Sequence, residues 1–244
     1  MQRVAGRLPQ AHRLDGLLLR YVTRSLALDE ARFMRTWRQA QRHLRAHYLH
    51  GGRAPALDTV IEFGTGGYPI VPLGLALSGA RRVLSFDDAP RLAPTRVLGT
   101  LAIYRRLARA GRLPALEPDA CDRIDEVLAR AQGRSAQWML EAFGVDVRRV
   151  DAHRTGLPEG SVDLFVSNDM LDRVPSDVLR AVFREFHRVG HDGSVMSHRL
   201  HHPSRSRLPD ARAMHRETRW LILEEDVHES EAWITSAPAP DRTH

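Results

Sequence analysis

Lysine is absent from this sequence: all 36 basic side chains are arginine, and asparagine occurs only as Asn168. Both missing types have AT-rich codons, so a GC-rich genome accounts for the pattern without a functional cause. Against 30 acidic residues the net charge is +6. A basic balance points to nucleic acid only when it is clustered, and these arginines are spread along the whole chain. Nucleic acid is therefore a possible partner but not the favoured one. Cys121 is the single cysteine, which excludes an intrachain disulfide and a cysteine-based zinc site. A lone cysteine most simply fills space as a small hydrophobe. No apolar run approaches the roughly 18 residues of a membrane span. Leu17-Leu18-Leu19 is too short for the core of a signal peptide. The expectation is a cytoplasmic protein without a membrane partner.

What is present fits an ordinary globular chain. With 244 residues, 43% apolar and 27% charged, it can bury a full core as one large domain with appendages. Residues 1–55 read as an N-terminal helical cap: Leu14, Leu17, Leu18, Tyr21 and Val22 recur at helical spacing, as do Phe33, Trp37, Ala40 and Leu44 behind a candidate N-cap at Asp29. Strand-like runs follow at Thr59–Phe63, Arg82–Phe86, Val147–Val150, Val162–Val166 and Ser194–Ser197, with helices at Pro72–Ala80 and Asp177–Val189. Strands alternating with helices predict an α/β fold, a doubly wound, mostly parallel sheet, over residues 56–202. A helical insertion is expected over about 93–143. Residues 203–244 form a short tail, with a hairpin suggested by Trp220–Leu223 and Ala232–Thr235.

Two features carry chemistry. Glu62-Phe63-Gly64-Thr65-Gly66-Gly67 follows a strand and precedes a helix, where glycines permit a tight turn and close approach of backbone to ligand. Asp87 then ends the second strand, at the place where a carboxylate can accept hydrogen bonds from the ribose hydroxyls of a nucleoside. The dinucleotide fingerprint would need a third glycine where Pro69 stands, and proline has no N–H for a pyrophosphate. A nucleoside ligand without a pyrophosphate fits better than NAD.

The stretch Val60-Ile-Glu-Phe-Gly-Thr-Gly-Gly-Tyr-Pro-Ile-Val-Pro72 resembles the first motif of class I, Rossmann-like S-adenosylmethionine-dependent methyltransferases. Asp151 to Asn168 resembles that family's third and fourth strand ends, and Phe183–Val189 followed by Gly193–Ser197 resembles the helix and fifth strand beyond them. The resemblance covers roughly residues 58–202. It implies S-adenosylmethionine as cofactor. Gly64, Thr65 and Gly66, with Phe63, would pass beneath its methionine portion, and Glu62 would help to hold its amino group. Asp87, with Asp88 beside it, would hold the ribose, and Asp151 and Ala152 the adenine. Asn168 would lie where the methyl group emerges.

The residues after strand four, Asn168-Asp-Met-Leu171, lack the prolines and aromatic of amino-directed nucleic-acid methyltransferases, and Cys121 is not placed as the nucleophile of a cytosine-carbon enzyme. The acceptor is therefore expected to be a small molecule. An RNA methyltransferase and a non-catalytic binding or regulatory protein of the same fold are the alternatives. The tail is short for a sixth and seventh strand, and Ser197-His-Arg-Leu-His-His202 replaces the acidic run expected after strand five. His198 is the first candidate for a general base, at the end of strand five and titrating near neutrality. Asp169 is the second and Asp172 a weaker one. His198, His201 and His202 do not make a metal site, because neighbours on a strand point to opposite faces.

Overall fold

The computed structural model describes residues 28–51, 57–87, 92–149, 152–171, 174–201, 220–227 and 231–238. The first helix among the described residues is α1, Glu30–His50, whose N-cap Asp29 accepts a hydrogen bond from the Arg32 N–H at 2.6 Å. That bond satisfies one of the free amides of the first turn. Strand β1 is Thr59–Phe63, helix α2 Ile70–Leu77 and strand β2 Arg82–Phe86. Helices α3 (Pro94–Arg109), α4 (Ala120–Arg130) and α5 (Ala136–Glu141) follow. Then come β3 (Val145–Arg148), β4 (Val162–Asn168), α6 (Ser176–Val189), β5 (Gly190–His201), β6 (Trp220–Val227) and β7 (Glu231–Pro238).

The strands form one seven-stranded sheet in the order β3-β2-β1-β4-β5-β7-β6. All pairs from β3 to β5 are parallel, and β7 runs antiparallel to both β5 and β6. The chain winds outward from β1 to β3 and then returns to β4 on the other side of β1. This reversal leaves a crevice at the carboxyl ends of β1 and β4, where ligands of open α/β sheets bind. Buried on both faces, the central strands are nearly continuous in Val, Ile, Leu and Phe. One core cluster joins α1 to α5 to the sheet through Trp37, Leu73, Val83, Leu101 and Tyr104. The other joins α6 through Ile61, Phe165, Phe183 and Phe186.

Several sequence expectations need correction. The third strand is Val145–Arg148, not Val147–Val150, because it is a half-exposed sheet edge whose Asp146 and Arg148 pair across its polar face at 2.6 Å. The fifth strand is three times the expected length, since its polar start, His191-Asp-Gly-Ser194, hides it from any search for apolar runs. The C-terminal portion is not too short: β6 and β7 form a hairpin that extends the sheet. In the segment 93–143, Val97, Leu101, Tyr104 and Leu107 of α3 belong to the main core cluster, so this helix covers the sheet. Helix α1 packs into the main core cluster. Phe33 and Trp37 are buried edge-on against Tyr104, with ring centroids 4.7 and 5.8 Å away, and the Tyr104 hydroxyl donates to the Ile70 carbonyl at 2.6 Å. The helical reading of Leu14 to Val22 lies outside the described residues.

Candidate active site

Register places the polar side chains. Glu62 of β1 lies opposite Ser85 of β2 on one side and Val166 of β4 on the other, and Val166 lies opposite Ser197 of β5. Two residues further along, Asn168 lies opposite Arg199, and Arg199 opposite Trp233 of β7. Side chains two apart share a face of a strand. Glu62, Ser85, Asn168, Ser197 and Arg199 therefore stand on the face that α1 to α3 cover, at its carboxyl edge.

The loop after β1 leaves the sheet through two left-handed glycines, Gly64 with φ +95° and Gly66 with φ +67°. The Gly64 N–H donates to the Phe86 carbonyl at 2.8 Å, and the Gly66 N–H donates to the Asp87 carboxylate at 3.2 Å. Asp87 thus ties the loop to the end of β2. A Cβ on Gly66 would meet no atom within 4 Å, so the backbone borders open space there. A Cβ on Gly64 would lie 2.2 Å from Met170 Cγ. Gly64→Ala is expected to lower Tm by roughly 2–8 °C, from about 1–2 kcal/mol for an L-residue in the left-handed region and about 2–4 °C per kcal/mol in a chain of this size. Scanning calorimetry checks it, and an unchanged Tm would show that the loop has another conformation.

Glu62 is buried, and its carboxylate accepts a short hydrogen bond from Ser85 Oγ. Ser85 in turn lies 2.6 Å from Thr65 Oγ1, so the Thr65 hydroxyl turns into the sheet and only its backbone borders the loop. Burial pushes the Glu62 carboxyl up to about 8, against the Ser85 bond and with help from the Asp87 charge. At neutral pH the group is held largely neutral and would ionise beside a cation. Ser85 escaped the sequence reading. Its signal was a small polar residue within the otherwise apolar run Val83 to Phe86, directly opposite Glu62.

At the end of β4, Asn168 meets a residue that sequence reasoning missed. His43 of α1 is wholly buried, its Nε2 3.2 Å from Asn168 Nδ2 and its Nδ1 2.9 Å from Ser197 Oγ. Its signal was a histidine between Ala40 and Leu44 on the apolar stripe of an amphipathic helix. The next residue, Asp169, has φ +57°, and its carboxylate is paired with Arg199. The left-handed conformation of a non-glycine residue is strained, and such strain gathers at ligand sites.

His198 is placed differently from expectation. It lies within β5 rather than at its end, on the opposite face from Ser197, fully buried against Phe183 with Nδ1 2.9 Å from Ser167 Oγ. Burial pulls its imidazole down to about 3. A ring so resistant to protonation is a poor general base, and the assumption of a strand end titrating near neutrality is corrected. Of the remaining candidates, Phe63 is half-buried against the α6-side core and Ala152 is buried within it. Asp88, Asp151 and Asp172 lie outside the described residues, as does His202. Cys121 sits part-buried on α4. Among the described residues no group of three His, Cys, Asp or Glu side chains could hold a metal ion.

A family model described as a methyltransferase domain matches residues 98–197, from within α3 into β5. Over that span the chain is similar to a methyltransferase domain. Its fold is the Rossmann-like one of class I methyltransferases. A candidate sarcosine dimethylglycine methyltransferase from Galdieria sulphuraria superposes with a TM-score of 0.51 at 12% identity, over 84% of this chain and 86% of that one. Magnesium protoporphyrin IX methyltransferase from Synechocystis, with S-adenosylhomocysteine bound, gives 0.49 at 13% identity over 87% and 88%. A SAM-dependent methyltransferase from Aquifex aeolicus gives 0.48 at 11% over 82% and 89%. No curated protein matches the sequence. The family match spans the helices and strands that follow the glycine loop, while the loop itself, residues 64–67, lies before the matched span.

Proposed function

We propose that this protein is an active S-adenosylmethionine-dependent methyltransferase that methylates a small-molecule acceptor. One observation carries the reading: a buried carboxyl, two left-handed glycines beside open space, and a ribose-competent carboxylate meet at the point where the strand order reverses. The donor set matches the cofactor piece by piece. Glu62 suits the ammonium, the backbone of Gly64 to Gly66 allows the chain of atoms between ammonium and ribose to lie close, and Asp87 suits the ribose diol. When bound, S-adenosylmethionine supplies a sulfonium-activated methyl group, so the hard chemistry is the cofactor's.

The protein's work is alignment and exclusion of water. Met170 against Gly64 and the left-handed turn at Asp169 close the β4 end of the crevice. If the acceptor must lose a proton, Asp169 is the remaining candidate to take it, its carboxylate held in place by Arg199. The small-molecule reading is supported by the arginines. Arg105 and Arg109 pair with Asp125, Arg106 and Arg112 with Glu30, and Arg188 with Glu185. Such pairing breaks up a continuous basic face of the kind that tracks a phosphate backbone. No helix among the described residues is long and apolar enough to cross a membrane.

Titration calorimetry tests the cofactor reading. S-adenosylhomocysteine is expected to bind at micromolar affinity and NAD not measurably, because Pro69 offers no N–H to a pyrophosphate. NAD binding as tight as S-adenosylhomocysteine would overturn the assignment.

A further inference from the structure

The orientation of the Asn168 amide sets the hydrogen-bond directions at the end of β4. Asn168 Nδ2 can only donate, so His43 Nε2 must accept, and the ring proton is left on Nδ1. Nδ1–H then donates to Ser197 Oγ at 2.9 Å. The ring is wedged between α1 and the sheet, with Trp233 tilted against it at 5.3 Å. Trp233 is itself covered by the Arg42 guanidinium at 4.4 Å, and Arg42 is anchored to Asp226 at 2.7 Å.

The consequence appears at the other side of the amide. Asn168 Oδ1 is buried with no hydrogen-bond partner among the described residues, and so is Oδ1 of the adjoining Asp169. Two buried acceptors without donors, on consecutive residues, cost free energy unless water or a ligand supplies the donors. Glu62 stands on the same sheet face, one strand across and two residues along, roughly 8 Å away between Cα atoms by the strand spacings. A compact cation with several N–H donors fits between a carboxyl, a carboxamide oxygen and a carboxylate oxygen.

We propose that His43, held by Ser197, is a positioning residue that turns the Asn168 side-chain carbonyl toward the ammonium of the cofactor's amino-acid end, opposite Glu62. This rests on the S-adenosylmethionine reading and adds to it the role of the N-terminal helix. Helix α1 acts by setting the acceptor oxygen rather than by closing over the crevice.

Asn168 is the only asparagine in the chain, so protein made with [15N]asparagine shows a single side-chain NH2 pair in an NMR spectrum. In the unliganded full-length protein, one of its two protons is expected to exchange slowly and to shift in His43→Phe and in the milder Ser197→Ala. Unchanged signals in both variants would overturn the relay, whatever the cofactor. The second measurement compares S-adenosylhomocysteine with 5′-methylthioadenosine, which lacks the amino-acid end. His43→Phe is expected to weaken the first roughly tenfold and to leave the second within about twofold, and His43→Gln, which restores an acceptor for Asn168 Nδ2, to recover most of the loss. Equal weakening of both ligands, or no loss in a folded variant, would refute the positioning role. A wild-type protein that binds neither nucleoside would instead refute the cofactor reading, with the NMR result still standing on its own.

Discussion

Asp87→Ala is expected to weaken S-adenosylhomocysteine binding by roughly 1.5–3 kcal/mol, the range for hydrogen bonds to a charged group, or about 10- to 150-fold in Kd. The fold should survive. The side chain is half-buried at a strand end, where its carboxylate accepts a hydrogen bond from the Gly66 N–H at 3.2 Å. The strand itself is held by backbone, with the Asp87 N–H on the Arg148 carbonyl at 3.2 Å and the Gly64 N–H on the Phe86 carbonyl at 2.8 Å. Losing one exposed loop contact costs about 1 kcal/mol, a fall of about 2–4 °C in Tm. Calorimetric titration and a melting curve on the same sample separate the two effects. If the variant melts normally and binds as tightly as wild type, the ribose contact belongs to another carboxylate, and Asp88 beside it is the next to test.

The site's first half was legible because it is local. Glu62, Gly64, Gly66 and Asp87 belong to one strand-loop-helix-strand unit, where chain spacing translates directly into geometry. Its second half depends on where strands lie relative to one another. His43 is 125 residues from Asn168 and 154 from Ser197, and no periodicity reports contacts at such separations. His198 shows how parity misleads. Taking β5 as Ser194–Ser197 made it a strand-end residue, whereas in the full strand Gly190–His201 it points to the α6 side while Ser197 points to α1. The register irregularity between Val162 and Leu164, opposite the start of β5, is likewise invisible in one sequence. For the fold, alternating elements predicted the parallel sheet, but the β6–β7 hairpin lacks a tight-turn signature and its place beside β5 comes from tertiary pairing alone.

Unliganded protein is expected to be most stable near pH 6.5 and to lose stability on either side, for opposite reasons. Burial pulls His43 and His198 down to about 3, with repulsion between the two rings adding to the His43 shift. Unfolded, each would titrate at 6.5. Below pH 6.5 the unfolded state therefore binds a proton at each of these two rings that the folded state refuses, so their contribution to stability falls as pH falls. Glu62 works the other way. Its folded value of about 8 lies above the ordinary 4.5, so between these the folded state holds a proton that the unfolded state has lost. Each proton is worth about 1.4 kcal/mol per pH unit. From pH 6.5 down to 4.5 the balance is two against one, a net loss of about 1.4 kcal/mol per unit. From 6.5 up to 8 only Glu62 acts, and stability falls by a similar amount per unit. Below 4.5, Glu30 and Glu185 join in, since hydrogen bonds from Arg106 and Arg112 to the first and from Arg188 to the second hold both carboxyls low. Denaturant melts at half-unit steps from pH 5 to 8.5 measure the curve. Glu62→Gln should flatten the alkaline limb and leave the acid limb in place. Saturating S-adenosylhomocysteine should flatten it as well, because an ammonium beside Glu62 restores the ionised carboxylate. An alkaline limb that persists in Glu62→Gln would show that another group carries the proton. A limb lost in the variant but untouched by ligand would place the ammonium away from Glu62.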